Sequence, residues 1–594
     1  MPGRHIPFGH RKIHKKTGYC PNLSTDSPAH TAPVRTESAS LDVIVQGCTF
    51  WSIRIVMNPA FAKAWKPLII LLAMITIGCC VRWACIASKS APSHDECISY
   101  LAACGNQGLY ALSPPSCQWH SIADIHRFYE MNPQASLRHI RDDLAQYDIH
   151  PPLYFWLLRS WITIWGISSH SGPALNLVFV FLSAVGLFLL GQKIFSSTNS
   201  SLLAVFIWIF SPMVASISLD ARQYELFGTL SIYCLLLVLD FSRCYPGVSI
   251  WKLALLGLIT TAGLLTHFYF AILISGAGFY LMTRTLSGIS KYSDGGESAH
   301  SISPCRLLCF GGVTLAGILL FLVINPEFLN SFSNQRSQSV PYSISGLVTR
   351  IGKTVRCLAG FFVYPKELIV LFLGLASAAV LPLGYYWKSI QQAFRNHPSI
   401  LRPGCGWFLA ALSGWYGGWT ILLFLSFITP GMGGRYLSPF WPMFSLGLAA
   451  LLYRAGLHRS SRIAPLLVLY LALGAGGLWY GYRQDPERQP LPALEAHWLL
   501  VDSVQRGCLP RVTWNLEKDL AVYACSQDDI LSASAEWSSH LPEGIGLYAA
   551  VKMYNSPAKS LLILDKLKKG HTVEQVCDDW LDLVDFYRVR PLQP

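Results

Sequence analysis

The sequence predicts an α-helical polytopic membrane protein of about eleven transmembrane helices (11–13), with a helical first outer loop and a small C-terminal α/β outer domain. Three observations carry this. Of 594 residues, 52% are hydrophobic and only 13% are charged, a balance outside that of ordinary soluble domains. Apolar runs near the length of a bilayer crossing recur at 67–87, 173–192, 200–217, 224–242, 251–266, 268–284, 307–325, 367–387, 406–429, 436–453 and 463–482. From residue 484 the composition turns soluble-like, with alternating stretches such as Arg511-Val512-Thr513-Trp514 and Gly546-Leu547-Tyr548-Ala549.

The formal charge of +13 comes in part from residues 1–66, rich in Arg, Lys, Ser, Thr and Pro, which read as a disordered basic tail. A basic flank before the first span orients a membrane protein without any nucleic acid, so no nucleic-acid partner is expected. Met57 is an alternative start.

A twelfth apolar stretch, 151–167, is short and aromatic and carries Arg159 in its middle, so it is expected to lie in the interface. Basic residues decide the point, since short inner loops collect them. Without that crossing, Lys193, Arg243, Lys252, Arg284, Lys291, Arg306, Lys388, Arg395, Arg402, Arg454, Arg459 and Arg462 all fall inside. The outer turns after 217, around 267 and at 430–435 then hold only Arg222 and Arg435. The division is a tail (1–66), a transmembrane domain (67–483) with an outer first loop (88–172), and an outer-face soluble domain (484–594). The outer segment 326–366 departs from the charge rule with Arg336, Arg350, Lys353, Arg356 and Lys366.

The first loop opens on Ser93-His94-Asp95-Glu96 and closes on Asp148-Ile149-His150-Pro151-Pro152-Leu153. Two adjacent carboxylates beside a low-dielectric slab are costly, which points to chemistry or a cation partner; an acidic solvated loop is the plain alternative. The proline pair sets where the next helix can start. Between them a helix is expected at 134–146, and Trp119, His120, His126, Phe128 and Tyr129 are read as anchors to lipid headgroups.

Further on, Leu219-Asp220-Ala221-Arg222-Gln223-Tyr224-Glu225 packs an arginine and two acids between apolar runs, to pair with one another or with a ligand. His267 interrupts an apolar run too long for one crossing, so two helices should meet there. Ile344, Leu347, Val348, Ile351, Val355 and Leu358 recur at helical spacing, with Arg350, Lys353 and Arg356 at other positions suited to anionic headgroups. Gly431-Met432-Gly433-Gly434-Arg435-Tyr436 reads as a flexible outer turn that brings backbone and a fixed cation close to a ligand.

The 17 cysteines show no CxxC pair and no His/Cys spacing suited to zinc. On the outer side, Cys97, Cys104, Cys117, Cys508, Cys525 and Cys577 are available for disulfides, with Cys508–Cys525 the first pair to test.

The order of these elements resembles the C-type glycosyltransferases, in particular the protein O-mannosyltransferases, the aminoarabinose transferase of lipid A and their bacterial relatives. The motifs are Asp95-Glu96, His150-Pro151-Pro152-Leu153-Tyr154, Ala221-Arg222-Gln223-Tyr224, Thr266-His267-Phe268 and Arg435-Tyr436-Leu437, within 67–484. The resemblance implies a multi-pass enzyme of a bacterial inner (plasma) membrane, with its site on the outer face. Such an enzyme moves a sugar from a polyprenyl phosphate to a hydroxyl of a protein, lipid or glycan. A glycan polymerase or ligase using lipid-linked donors is the alternative, and a multi-span transporter is the rival class. Ala174-Leu175-Asn176-Leu177 departs from the pattern, since many relatives carry an arginine there.

Glycosyl transfer needs a base on the acceptor and positive charge for the departing phosphate. Asp95 is the expected base; Glu96 is expected to orient the loop, the acceptor or a divalent cation. Arg222 and Arg435 are the expected phosphate partners, and His150, His267, Tyr224 and Tyr436 further substrate contacts.

Overall fold

The computed structural model describes residues 59–243, 249–293, 304–337, 342–363, 400–428, 433–455, 460–484 and 496–592, without 517, 533–540, 554, 581 and 582. The N-terminal tail through 58, the expected span 367–387 and Gly431-Met432 lie outside these residues.

Helix α1 (Pro59–Ile86) crosses first. The loop after it folds into α2 (His94–Cys104), α3 (Gln107–Leu112), strand β1 (Trp119–Ser121), α4 (Ile122–His126), α5 (Leu137–Tyr147) and α6 (Leu153–Trp165). The bundle continues with α7 (Ser171–Ile194), α8 (Thr198–Ile209), α9 (Pro212–Ser218), α10 (Tyr224–Ser242), α11 (Ile250–Thr266), α12 (Phe270–Ser293) and α13 (Pro304–Ile324). Then come α14 (Phe328–Ser337), α15 (Ile344–Ala359) and the helices Cys405–Leu425, Phe440–Arg454 and Ser460–Leu471, the last extended to Gln484 by a wider turn.

Among the described residues seven helices are long and apolar enough to cross a bilayer, or eight if α8 and α9, bent by 63°, count as one broken span. The protein is an integral, multi-pass membrane protein. The expected runs 251–266 and 436–453 form helices of 17 and 15 residues, shorter than the ~20 of a perpendicular crossing. The α8–α9 break follows from Pro212, which removes an amide, while Ser211 caps the new helix through Val214 N–H. Arg82 of α1, fully buried, fastens the break by donating to Ile209 O at 2.9 Å and Ser218 Oγ at 2.9 Å.

The segment 151–167 forms α6, whose 13 residues fall short of the ~20 of a perpendicular crossing. Its Arg159 turns back into the loop and donates to the carbonyls of Ala103, Cys104 and Asn132, closing the end of α2.

Charge separates along the bundle. At the end of α7 and α10, Lys193 and Lys252 share Asp240, Arg243 donates to Lys193 O, and Arg402 donates to Phe195 O. Helix α10 starts at the opposite end, at Tyr224; its 19 residues separate the two ends by ~28 Å.

The C-terminal domain is a six-stranded mixed sheet in the order β1-β3-β2-β4-β6-β5, with β2 (Trp498–Val501), β3 (Ala521–Ala524), β4 (Gly546–Val551), β5 (His571–Trp580) and β6 (Val584–Pro591). Its edge strand β1 belongs to the first loop and pairs antiparallel with β3, Trp119 opposite Tyr523. A disulfide joins Cys117 to Cys525, and Cys508, expected as the partner of Cys525, is a buried free thiol. The loop aromatics are likewise not headgroup anchors. Trp119 packs on Trp498 and Tyr523, His126 bonds Thr513 O at 3.2 Å, and Tyr129 donates to Arg506 O at 3.2 Å. First loop and C-terminal segment therefore fold as one unit, where the sequence suggested two.

Helix α15 exposes Ile344, Val348, Ile351, Val355 and Leu358 along one stripe. Arg350, expected among the headgroup cations, is instead buried over the rings of Phe424 and Phe427, 4.7 and 4.0 Å from their centres.

Candidate active site

The site forms at the Tyr224 end of the bundle, where three segments far apart in sequence meet. The first is the start of α2. Ser93 caps it, accepting from Glu96 N–H while its own N–H donates to the Glu96 carboxylate at 2.7 Å, and Asp95 sits in the first helical turn. The second is the turn between α9 and α10, which carries Arg222. The third is one helical turn, Gly434–Leu437, which carries Arg435 and Tyr436. Gly434 lies so close to Met213 that a Cβ would overlap its sulfur, and its carbonyl accepts from Trp441 Nε1 at 3.0 Å.

Asp95 is the meeting point. Arg222 Nη2 lies 3.3 Å from one carboxylate oxygen and Arg435 Nη1 donates to the other; His94 Nδ1 is 3.5 Å away. Arg222 is buried and its Nη1 also donates to Ser99 Oγ at 3.2 Å, whereas its Nε has no partner among the described residues. The Arg435 guanidinium lies 5.1 Å from the centre of the Tyr224 ring and its side chain is 37% exposed. Burial alone would raise the Asp95 carboxyl. Arg222, the hydrogen bond from His94 and Arg435 outweigh it and hold the group well below the usual carboxylate range. Two guanidinium groups face one carboxylate, so the cluster keeps an excess positive charge.

Glu96 points the other way, as neighbours on a helix must. It is fully buried, with Lys89 Nζ 2.8 Å from both oxygens, and it accepts from Ser93 N–H and from Ala221 N–H at 2.9 Å. Lys89 also reaches Leu219 O and Asp220. Glu96 thus ties α1, α2 and the Arg222 turn into one corner. Asn176, at the departure from the family pattern, belongs to this corner and donates to Asp220 O at 2.5 Å.

Beside the cluster is a narrow cavity lined by Ile149, His150, Pro151, His267, Phe268, Tyr269 and Tyr436. His150 Nδ1 lies 2.6 Å from Asp148 Oδ1, and both residues are buried. Asp148 further accepts from Ile149 N–H and Gln107 Nε2 and ion-pairs with Arg506 of the C-terminal domain at 3.5 Å. Burial would raise Asp148, but His150, Arg506 and Arg222 hold it below the usual range. Burial lowers His150 against the pull of Asp148. His267 is stacked on Phe227 with ring centres 4.8 Å apart; burial, with the Arg435 guanidinium nearby, brings its pKa to about 3. Tyr224 is buried against His267 and Tyr436, and its hydroxyl has no partner among the described residues.

All eight expected site residues lie around this corner and cavity. Lys89, Ser99, Asp148 and Arg506 were not singled out from sequence; only the Asp148-x-His150 spacing was a local signal. A divalent cation fits this donor set poorly, because the Asp95 oxygens face two guanidinium groups and those of Glu96 are filled by Lys89 and two amides. Elsewhere, Cys117, Cys525 and Asp529 lie close together, but the disulfide takes both sulfurs.

No family model matches the sequence, and no curated protein matches it. Among solved structures, the chain is similar to ArnT from Cupriavidus metallidurans bound to undecaprenyl phosphate, at 12% identity over 89% of this chain and 98% of that one, with a TM-score of 0.44. Apo ArnT from the same organism gives 12% identity, the same coverage and a TM-score of 0.43. The archaeal oligosaccharyltransferase AglB from Archaeoglobus fulgidus, in complex with an inhibitory peptide and a dolichol-phosphate, gives 11% identity over 82% of this chain and 69% of that one, with a TM-score of 0.35.

Proposed function

We propose that this protein is a membrane glycosyltransferase that moves a sugar from a polyprenyl phosphate to a hydroxyl of a protein, lipid or glycan at the outer face of the membrane. The observation that carries the reading is the convergence of Arg222 and Arg435 on Asp95 at one end of the bundle. Two guanidinium groups with excess positive charge suit a phosphate, and a carboxylate between them suits the hydroxyl that will attack. The basic cluster around Asp240 at the other end supports placing Asp95 outside.

In this reading the donor phosphate takes over the arginines. Asp95, released from them, regains basicity and accepts the proton of the acceptor hydroxyl. The acceptor oxygen bonds to the anomeric carbon as the bond from that carbon to the phosphate oxygen breaks, its electron pair leaving on the phosphate between Arg222 and Arg435. Direct displacement inverts the anomeric centre. Glu96 acts as a positioning residue by fixing the helix that presents Asp95.

The test is transfer of radiolabel from a purified polyprenyl-phosphate sugar by protein in liposomes, with an acceptor panel of peptide, lipid and glycan. Transfer that depends on Asp95 supports the reading. Sugar-lipid translocation without transfer would favour the transporter class.

A further inference from the structure

The two buried histidines of the cavity differ in their outer partners, and the difference gives each ring a polarity. His150 Nδ1 meets a carboxylate that already accepts from Ile149 N–H, Gln107 and Arg506, so Asp148 can only accept and Nδ1 must carry the proton. His267 Nδ1 receives the Tyr269 amide N–H at 3.1 Å, so that nitrogen must be the bare one. A bare nitrogen on a neutral imidazole leaves the proton on Nε2. Burial, with Arg222 nearby, lowers the His150 pKa against the pull of Asp148, in the direction of the neutral ring, whose Nε2 carries a lone pair. Among the described residues neither Nε2 has another partner, and both rings line the same cavity. The space is wide enough for about one water-sized group.

We infer that His150 and His267 form a hydroxyl-binding subsite of fixed polarity, His150 Nε2 accepting from the hydroxyl and His267 Nε2–H donating to it. This rests on the glycosyltransferase reading for the source of the hydroxyl but not for the polarity itself. Only a group that is both donor and acceptor fits. An ammonium would find the His267 N–H opposed to it, and a carboxylate would find the His150 lone pair opposed to it. Asp148 and Arg506 are positioning residues, so the C-terminal domain takes part in sugar or acceptor selection through Arg506. The hydroxyl has two sources, the transferred sugar or the acceptor.

Two measurements test this. In liposomes with nitrogen-15 histidine, His150 should show a protonated Nδ1 and His267 a protonated Nε2 at neutral pH, assigned by loss of each signal in the matching variant. Either ring in the opposite tautomer, or as an imidazolium, overturns the subsite whatever the donor does. In binding assays, His267→Phe and His150→Phe should leave undecaprenyl phosphate affinity unchanged, because the arginines are intact. Each should weaken binding of at least one of the mannosyl, glucosyl, galactosyl and arabinosyl polyprenyl phosphates about tenfold or more, if the hydroxyl is the sugar's. If it is the acceptor's, donor binding stays and acceptor KM rises by a similar factor. His267→Gln, which keeps an N–H, should restore much of the loss. Folded Phe variants with wild-type donor binding and acceptor KM would overturn the subsite. Failure of the wild type to bind undecaprenyl phosphate would instead sink the phosphate reading, leaving the tautomer result to stand or fall by itself.

Discussion

Arg435 donates to Asp95 across 340 residues of chain, and Arg222 closes the same carboxylate from a third segment. A carboxylate so held is a weak base until something else engages the arginines. Asp95→Asn should therefore slow transfer by roughly 10²–10⁴-fold, the usual contribution of a positioned base. Affinity for polyprenyl phosphate should hold or tighten, since the arginines lose their internal competitor. A folded Asp95→Asn protein that transfers sugar at the wild-type rate would remove Asp95 as the base.

Removing either cation should weaken the donor. Arg222→Ala and Arg435→Ala are each expected to cost about 1.5–3 kcal/mol in donor binding, measured by titration of polyprenyl phosphate. Arg222→Ala should also lower thermal stability, because buried Arg222 holds Ser99, whereas Arg435, at 37% side-chain exposure, should cost less. Wild-type donor affinity in both variants would point to another cation.

His267 sets a pH dependence of stability. Its ring has a pKa of about 3 in the fold and about 6.5 when unfolded. Between these values the unfolded chain binds more protons, so this contribution is present above pH 6.5 and is lost as pH falls toward 3. Thermal unfolding in detergent from pH 7 to 4 should show a shallower decline for His267→Gln than for wild type. Parallel declines would mean that the ring is charged or exposed in the fold.

The sidedness of the bundle can be read by labelling. In a background with Cys80, Cys305 and Cys309 changed to serine, a cysteine at Leu112 should react with a membrane-impermeant maleimide from the side opposite to one at Trp251; both positions are highly exposed. Labelling of both from one side would overturn the separation of the Asp95 end from the Asp240 end.

Peptide mapping without reductant should recover Cys117 linked to Cys525, with Cys508 alkylated only after unfolding. Cys117→Ser is expected to lower stability by about 2–4 kcal/mol, the usual range for such a link. A Cys508–Cys525 peptide in the native protein would contradict the strand pairing of β1.

Most of the helices were legible because crossing a bilayer demands a long apolar run, and His267 marks where one overlong run divides; the break at Pro212, inside the expected run 200–217, was not read. Asp95, Arg222 and Arg435 were legible for the converse reason: charge beside hydrocarbon is costly and stands out. Their mutual contacts were not, since nothing local says that Arg435 meets Asp95. Glu96 was legible as an orienting residue but its partners were not: the capping pattern with Ser93 and the distant Lys89 fasten it to the loop. Trp119 and Tyr129 misled because aromatic rings suit a headgroup layer and a domain core equally well. Cys117 was among six outer cysteines with no local sign of its partner, because β1 is only three residues long.

That three-residue strand also bears on the order of events during synthesis. Trp119–Ser121 leaves the ribosome some 400 residues before its partner Ala521–Ala524, so the edge of the sheet, the Cys117–Cys525 link and the Arg506 contact to Asp148 cannot form until nearly the whole chain has been made. A chain stopped short of the C-terminal sheet could insert its helices and still lack the buttress behind His150. Quality control at the membrane would then meet an inserted but unfinished protein, whose first loop exposes the apolar face that β3 and Trp514 normally cover.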